Sequence, residues 1–202
     1  MSGLFVTFEG GDGVGKTTQA TALEEWLQAS GRSVGRTREP GGTEVGVLLR
    51  DIVLHHRGEA ARAQHIATVV RPALARGDVV IQDRYLDSSV AYQGAGREID
   101  PGQIRDLSLW AADGLLPDVT VLLDLDHAAA RRRLDADDKP FDRLESERSD
   151  FHDRVRQAFL DLAAAESERF LVVDASLPAE DIAQTIRSRV ATALAAGVGE
   201  PG

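Results

Sequence analysis

The sequence has no cysteine, no long apolar run and no basic patch. Without cysteine there can be no disulfide bond, no thiolate metal ligand and no cysteine nucleophile. No apolar run approaches the ~18 residues that a membrane helix requires, so we predict no membrane association. The start, MSGLFVTFEGG, lacks the charged and apolar regions of a signal peptide, and we predict a cytoplasmic location.

Positive charge is also scarce. The 33 acidic residues outnumber the 23 lysines and arginines, which gives a formal net charge of -10. Nucleic-acid-binding proteins usually carry a basic patch or stripe, and the overall field of this chain repels polyanions. We therefore expect no nucleic-acid partner and favour a small ligand in a locally positive cleft.

The composition is that of an ordinary folded domain, with 43% hydrophobic and 28% charged residues among 202. The sequence shows no internal repeat and no low-complexity linker. A chain of this length suits a single core, so we predict one domain over residues 1–202 with a frayed tail at about 196–202.

Short apolar runs alternate with helical patterns along the chain. We predict five strands, at residues 4–9, 33–39, 78–83, 118–126 and 169–176. Alternation of this kind favours βαβ units and a parallel sheet between two helical layers, an α/β/α architecture. In such sheets ligands bind at the carboxyl ends of the strands.

The segment FEGGDGVGKTTQ follows the first predicted strand and opens a predicted helix. It contains the complete pattern G-x-x-x-x-G-K-[ST] of a phosphate-binding loop. Backbone N–H groups and the helix N-terminus of such a loop face the anion, and its lysine reaches the β- and γ-phosphates. We predict a P-loop NTPase fold in which ATP contacts Gly10, Gly11, Asp12, Gly13, Val14, Gly15, Lys16, Thr17 and Thr18.

Three classes of protein use such a loop. A GTPase switch is disfavoured because no Asn-Lys-x-Asp segment is present to read guanine. A P-loop ATPase or regulated binding module stays open, because Asp124 and Asp126 end the fourth predicted strand. A small-molecule kinase requires a second anion site opposite the loop.

Arginines at the predicted strand ends favour the kinase. Arg38 lies at the end of the second predicted strand, Arg84 directly follows the third, and Arg50 and Arg62 lie on predicted helices. Arginine suits phosphate because its planar guanidinium donates two parallel hydrogen bonds. An acidic chain that directs several arginines to one sheet edge is typical of an anion pocket.

Four segments together resemble the thymidylate kinase family: FEGGDGVGKTTQ, TREPGGT, LLRDIVL and DRYLDSSVAYQGAGR. The resemblance covers nearly the whole chain. It implies phosphorylation of dTMP to dTDP with ATP and Mg²⁺ in dTTP biosynthesis, by a cytosolic homodimer with a five-stranded parallel sheet. Another nucleotide or nucleoside kinase on the same scaffold is the nearest alternative.

The resemblance also implies roles for individual residues. Asp12 would face the sugar 3′-hydroxyl and the acceptor phosphate, and Tyr92 would face the sugar. Thr17 and Asp83 would hold Mg²⁺, and Asp12, Lys16 and Arg84 would be catalytic. The acceptor site would comprise Asp12, Arg38, Glu39, Pro40, Arg50, Arg62, Arg84, Ser88, Ser89, Tyr92 and Gln93.

A polar segment follows the helix after the fourth strand. It is rich in turn formers, and we expect residues 131–145 to form a mobile lid. A closing arginine can stabilise the charge of a transferring phosphoryl group. The bacterial members of the family carry such arginines in the lid, so we predict catalytic roles for Arg143 and, second, Arg133.

The segment 58–62 departs from the family pattern, which has a longer helix start here with an aromatic residue that stacks on thymine. Two explanations are open: a deletion, or a printed sequence that joins residues across a missing stretch. We favour the second, because loss of half a helix would leave Ile52 and Ile66 poorly packed. The selectivity for dTMP over dUMP cannot be predicted from these residues.

Overall fold

Five parallel strands from along the whole chain form one sheet. The computed structural model describes residues 3–38, 58–95, 100–136 and 149–197. The sheet order is β2-β3-β1-β4-β5, as predicted for an α/β fold. The strands are β1 (Leu4–Glu9), β2 (Val34–Arg38), β3 (Val79–Asp83), β4 (Val119–Asp124) and β5 (Phe170–Asp174).

The central strands are covered on both faces, and the edge strands are not. All six residues of β1 are buried, and so are most residues of β3 and β4. At the edges, β2 has no fully buried residue, and Val172 of β5 is 46% exposed. The exposure of β2 follows from its polar sequence, VGRTR, whereas the apolar run of β5, FLVVD, does not by itself indicate burial on both faces.

The strands are connected by helices, and the described residues contain eight α-helices and two π-helical segments, Ile66–Val70 and Val90–Ala95. The α-helices are α1 (Lys16–Ala29), α2 (Gly58–His65), α3 (Arg71–Ala75), α4 (Leu86–Ser89), α5 (Pro101–Ala111), α6 (His127–Ala136), α7 (Ser149–Ala165) and α8 (Ala179–Gly197). None of these described helices has the length and apolar character needed to cross a bilayer.

The helical stretch around Pro72 is divided into segments. A π-helical turn, Ile66–Val70, separates α2 from α3, and Pro72 lies in the first turn of α3. Proline has no N–H to donate and its ring crowds the preceding turn, so the hydrogen-bond ladder is rearranged on its amino-terminal side. The α-helical stretch before Pro72 is thus interrupted by a π-helical turn.

The two faces of the sheet form separate apolar clusters. Leu4, Val6 and Phe8 point to the face covered by α1 and α8. Phe5 points to the opposite face, where it packs with Ile66, Tyr85 and other residues of the connecting helices. Because side chains alternate along a strand, Glu9 points to the same face as Phe5. This alternation brings a carboxylate under α4.

Several predicted features lie outside the described residues. They are Glu39, Pro40, Arg50, Arg143, the part of the predicted lid at 137–145 and the tail at 198–202. Helix α8 runs to Gly197. The single domain and the lid stay predictions.

Candidate active site

The loop between β1 and α1 is shaped by two glycines. Gly10 has φ 127, and a Cβ there would lie 2.5 Å from the carbonyl oxygen of Leu123. Gly13 has φ 76, and its Cβ would lie 2.8 Å from the carbonyl oxygen of Ala130. No larger residue fits at either position, because both the backbone angle and the neighbouring backbone exclude a side chain.

Lys16 lies inside the curve of this loop. Its Nζ donates hydrogen bonds to the carbonyl oxygens of Gly10, at 3.1 Å, and Gly11, at 2.6 Å. Burial, together with the positive charge of Arg84, lowers the pKa of Lys16 to about 8, although Asp12 and Asp83 oppose the shift. The ammonium is therefore held where a polyphosphate would replace the carbonyl oxygens as its partner.

Asp12 and Arg84 form an ion pair across the loop. Arg84 Nη2 lies 2.5 Å from Asp12 Oδ1, and Arg84 Nη1 donates to the Gly10 carbonyl oxygen at 3.2 Å. Burial favours a raised pKa for Asp12, but the charges of Arg84 and Lys16 outweigh it, and the pKa is lowered. Burial also opposes the charge of Arg84, whose pKa is nevertheless raised by Tyr92, Asp12 and other acidic neighbours. Both groups stay charged at neutral pH.

The backbone at Arg84 is in an uncommon conformation. Its φ is 64, in the left-handed region that non-glycine residues rarely adopt. Its N–H donates to the Phe8 carbonyl oxygen at 3.0 Å, which fixes the turn after β3 to the end of β1. Such strain clusters at functional sites and persists only where surrounding contacts impose it.

Glu9 is a site residue that the sequence motif did not indicate. Its carboxylate accepts hydrogen bonds from the Tyr85 N–H at 2.7 Å and the Ser88 hydroxyl at 2.5 Å. Burial, with repulsion from Asp87, raises the pKa of Glu9 to about 8, although Ser88 and Arg84 favour its charged form. Glu9 therefore fastens the start of α4 to the end of β1.

The raised pKa of Glu9 predicts a pH-dependent stability. As the pH rises from 4.5, the ordinary value, to about 8, the unfolded chain loses this proton and the folded chain keeps it. The free energy of unfolding therefore falls across this window, by up to about 1.4 kcal/mol per pH unit. Glu9→Gln removes this loss, so we expect the variant to gain stability over the wild type as pH increases.

Urea unfolding at pH 5, 7 and 9 measures the difference. A gap between Glu9→Gln and the wild type that stays constant over these pH values would show that Glu9 titrates normally. Glu24→Gln is the matched control, since Glu24 of α1 is partly exposed and pairs with Arg36 of β2.

Arg62 and Ser89 meet on the other side of α4. Arg62 is 4% exposed, and its Nη2 donates to the Ser89 hydroxyl at 2.7 Å. The guanidinium carbon also lies 5.8 Å from the centre of the Tyr85 ring. Thus α2 and α4 present a buried cation and a hydroxyl to the same place.

Tyr92 packs against Arg84. The Arg84 guanidinium lies 5.0 Å from the centre of its ring, and its hydroxyl is buried with no hydrogen-bond partner among the described residues. Burial raises the pKa of Tyr92 to about 12, so the phenol keeps its proton. A ligand oxygen near this hydroxyl would satisfy it.

Asp83 lies at the end of β3, at the edge of the sheet that carries the phosphate loop. It pairs in register with Phe8 of β1 and Arg38 of β2, so all three lie at the same edge of the sheet. Its Oδ1 is buried and has no hydrogen-bond partner within the described part of the chain. The Thr17 side chain is exposed at the start of α1.

Comparisons with known proteins agree with this geometry. A family model described as thymidylate kinase matches residues 8–186. Thymidylate kinases of Clavibacter michiganensis and Clavibacter sepedonicus are 65% identical over 208 residues, 98% of this chain and 99% of theirs. The thymidylate kinase of Deinococcus radiodurans is 48% identical over 93% of this chain and 96% of its own length.

The chain belongs to the thymidylate kinase family. It is therefore a phosphotransferase, and the reaction of the family is phosphorylation of dTMP to dTDP for dTTP synthesis, with ATP as phosphate donor. Membership removes the alternatives of a P-loop ATPase and of a kinase for another nucleotide.

The family relatives also bear on the short segment at 58–62. The alignment with the Clavibacter michiganensis thymidylate kinase runs over 208 residues, six more than the 202 of this chain. At least six aligned positions therefore have no counterpart in this chain. Ile66, which was expected to pack poorly if half a helix were lost, is 2% exposed, so that argument against a deletion is wrong for Ile66.

Predicted roles were also given to Arg133, Arg38, Gln93 and Val14. Arg133 donates to the Ala175 carbonyl oxygen at 2.9 Å, beside the loop after β5. Arg38 is exposed, Gln93 is half-buried, and the Val14 side chain belongs to the core under α1. Val14 can therefore contact ATP only through its backbone.

A cleft of about 630 Å³, open to solvent, lies beside the phosphate loop. Asp12 and Tyr92 line it, with residues of β4, α6 and α7 that the motifs did not indicate. Among these, Arg156 binds Asp124 through two hydrogen bonds of 2.6 and 2.8 Å. The stacked rings of His127 and His152, 4.3 Å apart, join α6 to α7.

Proposed function

We propose that this chain holds dTMP against α4. The carrying observation is that Asp12, Arg84 and Ser88 are joined by hydrogen bonds of 2.5 and 3.3 Å. An anion at Arg84 would lie between the phosphate loop and α4. The sugar would then extend toward Tyr92, and the base would extend toward Arg62 and Ser89.

ATP would occupy the loop between β1 and α1. Support comes from the positive φ of Gly10 and Gly13 and from the buried Lys16 ammonium. Loop N–H groups and Lys16 provide the fixed positive charge that the β- and γ-phosphates need.

Asp83 and Thr17 would hold Mg²⁺ on the triphosphate. The buried Asp83 Oδ1 without a partner among the described residues fits this ion, which usually binds one or two carboxylates besides phosphates and water. When bound, Mg²⁺ neutralises charge on the transferring phosphoryl group.

The acceptor needs no general base. A phosphate monoester has a second pKa of about 6, so the attacking oxygen of dTMP is already ionised at neutral pH. That oxygen forms a bond to the γ-phosphorus as the bond to ADP breaks, and dTDP and ADP result. Arg84 would offset the repulsion between the two phosphates, and Asp12 would orient Arg84 for this task.

The proposal is tested by following ADP formation with Mg-ATP and a panel of nucleoside monophosphates. We expect dTMP to accelerate ADP formation more than dUMP, dCMP, dAMP or dGMP. ATP turnover that no monophosphate accelerates, or that another accelerates more than dTMP, would overturn it. Arg62→Gln and Ser89→Ala should raise the KM for dTMP and leave the KM for ATP unchanged.

We further propose a cytoplasmic homodimer. Support comes from α5, where Trp110 is 79% exposed and Leu107 is 47% exposed, since large apolar side chains exposed together often mark an interface. Sedimentation that finds only a 21.7 kDa monomer at micromolar concentration would contradict the dimer. Cell fractionation that recovers the chain outside the cytoplasm would contradict the location.

A further inference from the structure

Arg169, which precedes β5, makes a dense set of buried contacts. Its Nη1 and Nη2 bind the two oxygens of Asp87 at 2.8 and 2.7 Å. Its Nη1 also donates to the Thr120 hydroxyl at 2.6 Å, and its Nε donates to Glu166 at 2.8 Å. This number of short bonds leaves the guanidinium little freedom.

The backbone of Arg169 is fixed as well. Its carbonyl oxygen accepts from the Thr120 N–H at 2.8 Å, which ties it to β4. Glu166 is bound in turn by Arg105 of α5 at 2.7 Å. The guanidinium is thus a rigid attachment point on the sheet.

Asp87 lies in α4, the helix that carries the proposed acceptor residues Ser88 and Ser89. This helix has four residues and continues into a π-helical segment, Val90–Ala95, and the whole stretch is too short to hold its conformation alone. Asp87 is 0% exposed, whereas the Arg169 side chain is 10% exposed. A buried carboxylate requires a partner, so the position of α4 depends on this ion pair.

The ion pair is also the first of a series of contacts that leads to the phosphate loop. Glu9 lies close enough to Asp87 for repulsion between them and holds Tyr85 and Ser88 at the start of α4. Arg84 follows, bound to both Ser88 and Asp12. The contacts of α4 thus extend from Arg169 in the interior to Asp12 in the loop.

We propose that Arg169 is a positioning residue for phosphoryl transfer, which holds α4 through Asp87 so that Arg84, Ser88 and Ser89 meet dTMP correctly. The inference rests on the acceptor site proposed above. Loss of Arg169, at the amino end of β5, should therefore impair the use of dTMP and leave the binding of ATP unchanged.

Arg169→Lys tests the inference, because lysine keeps the charge and loses the two parallel bonds. We expect kcat/KM for dTMP to fall about 10-fold, and about 100-fold in Arg169→Met, as a shift of about 1 Å in a positioning group can cost. The KM for dTMP should rise while the KM for ATP changes less than about 2-fold. A uniform loss of folded enzyme would instead lower kcat and alter neither KM.

A double variant separates position from stability. Asp87→Leu with Arg169→Met replaces the buried pair by apolar side chains, which often restores stability. We expect the melting temperature to recover relative to Arg169→Met while kcat/KM for dTMP stays low. Recovery of both would show that the pair serves stability alone and would overturn the inference.

The matched control is Arg76→Lys, which alters the ion pair of a largely exposed arginine with Asp78 before the amino end of β3. It should leave both KM values unchanged. If Ser89→Ala and Arg62→Gln leave the KM for dTMP unchanged, the acceptor site itself is wrong. If they raise it and Arg169→Lys does not lower kcat/KM, the positioning role alone is wrong.

Discussion

Arg84→Met is expected to lower kcat/KM for dTMP about 1,000-fold, the lower end of what a transition-state arginine contributes. The reason is that Arg84 is the cation placed between the phosphate loop and α4, bound to Asp12 and Ser88. Without it, the acceptor phosphate and the γ-phosphate repel each other with no charge between them. Steady-state kinetics with dTMP varied at saturating ATP measure the loss.

Two comparisons make this result specific. Arg71→Met removes an arginine from an exposed ion pair with Asp113 and should keep normal kinetics. Circular dichroism should show both variants folded. Folded Arg84→Met enzyme with kcat/KM for dTMP within a few-fold of the wild type would exclude a role of Arg84 in transfer.

Lys16→Met is expected to lower kcat/KM for ATP by about 100- to 1,000-fold, as loss of a fixed donor to developing negative charge does. The wild type should also show a pH effect, because burial and Arg84 lower the pKa of Lys16 to about 8. Above this pH the amine of the free enzyme is neutral, so the KM for ATP should rise. Below it, the KM should be constant.

The pH effect supplies its own control. Lys16→Met has no group to titrate here, so its KM for ATP should not respond to pH between 7 and 9.5. A rise of equal size in the variant and the wild type would assign the titration to another group. The Glu9→Gln variant, which keeps Lys16, should retain the rise.

The phosphate loop could be predicted because its information is local. The spacing of Gly10, Gly15 and Lys16 fixes a turn, a cradle and a helix start within a few residues. Arg84 could be predicted for a related reason: it directly follows a strand, and parallel strands bring their carboxyl ends to one edge. The sheet order and the Asp12–Arg84 pair agree with that logic.

Glu9, Asp87 and Arg169 could not be predicted, because their partners are distant in sequence. Arg169 lies 82 residues from Asp87, and Glu9 lies 79 residues from Ser88. No sequence motif indicates that these residues are buried. A polar residue beside a strand usually faces solvent. Only the packing of α4 on the sheet shows that they are buried together.

Arg133 shows the limit of reasoning from charge alone. The resemblance to bacterial family members gave it a predicted role in the lid, and in the structure its side chain binds the Ala175 carbonyl oxygen. Helical geometry sends neighbouring side chains in different directions, so a run of arginines does not specify which one reaches a ligand. Its catalytic role stays a prediction, as does that of Arg143.

A structure of the enzyme with dTMP and a non-hydrolysable ATP analogue tests the central claim most directly. The account predicts the dTMP phosphate at about 3 Å from the Arg84 guanidinium, with the sugar beside Asp12 and Tyr92. The base should lie near Arg62 and Ser89. A dTMP phosphate bound by Arg133 or Arg156, with Arg84 still held by Asp12 alone, would contradict it.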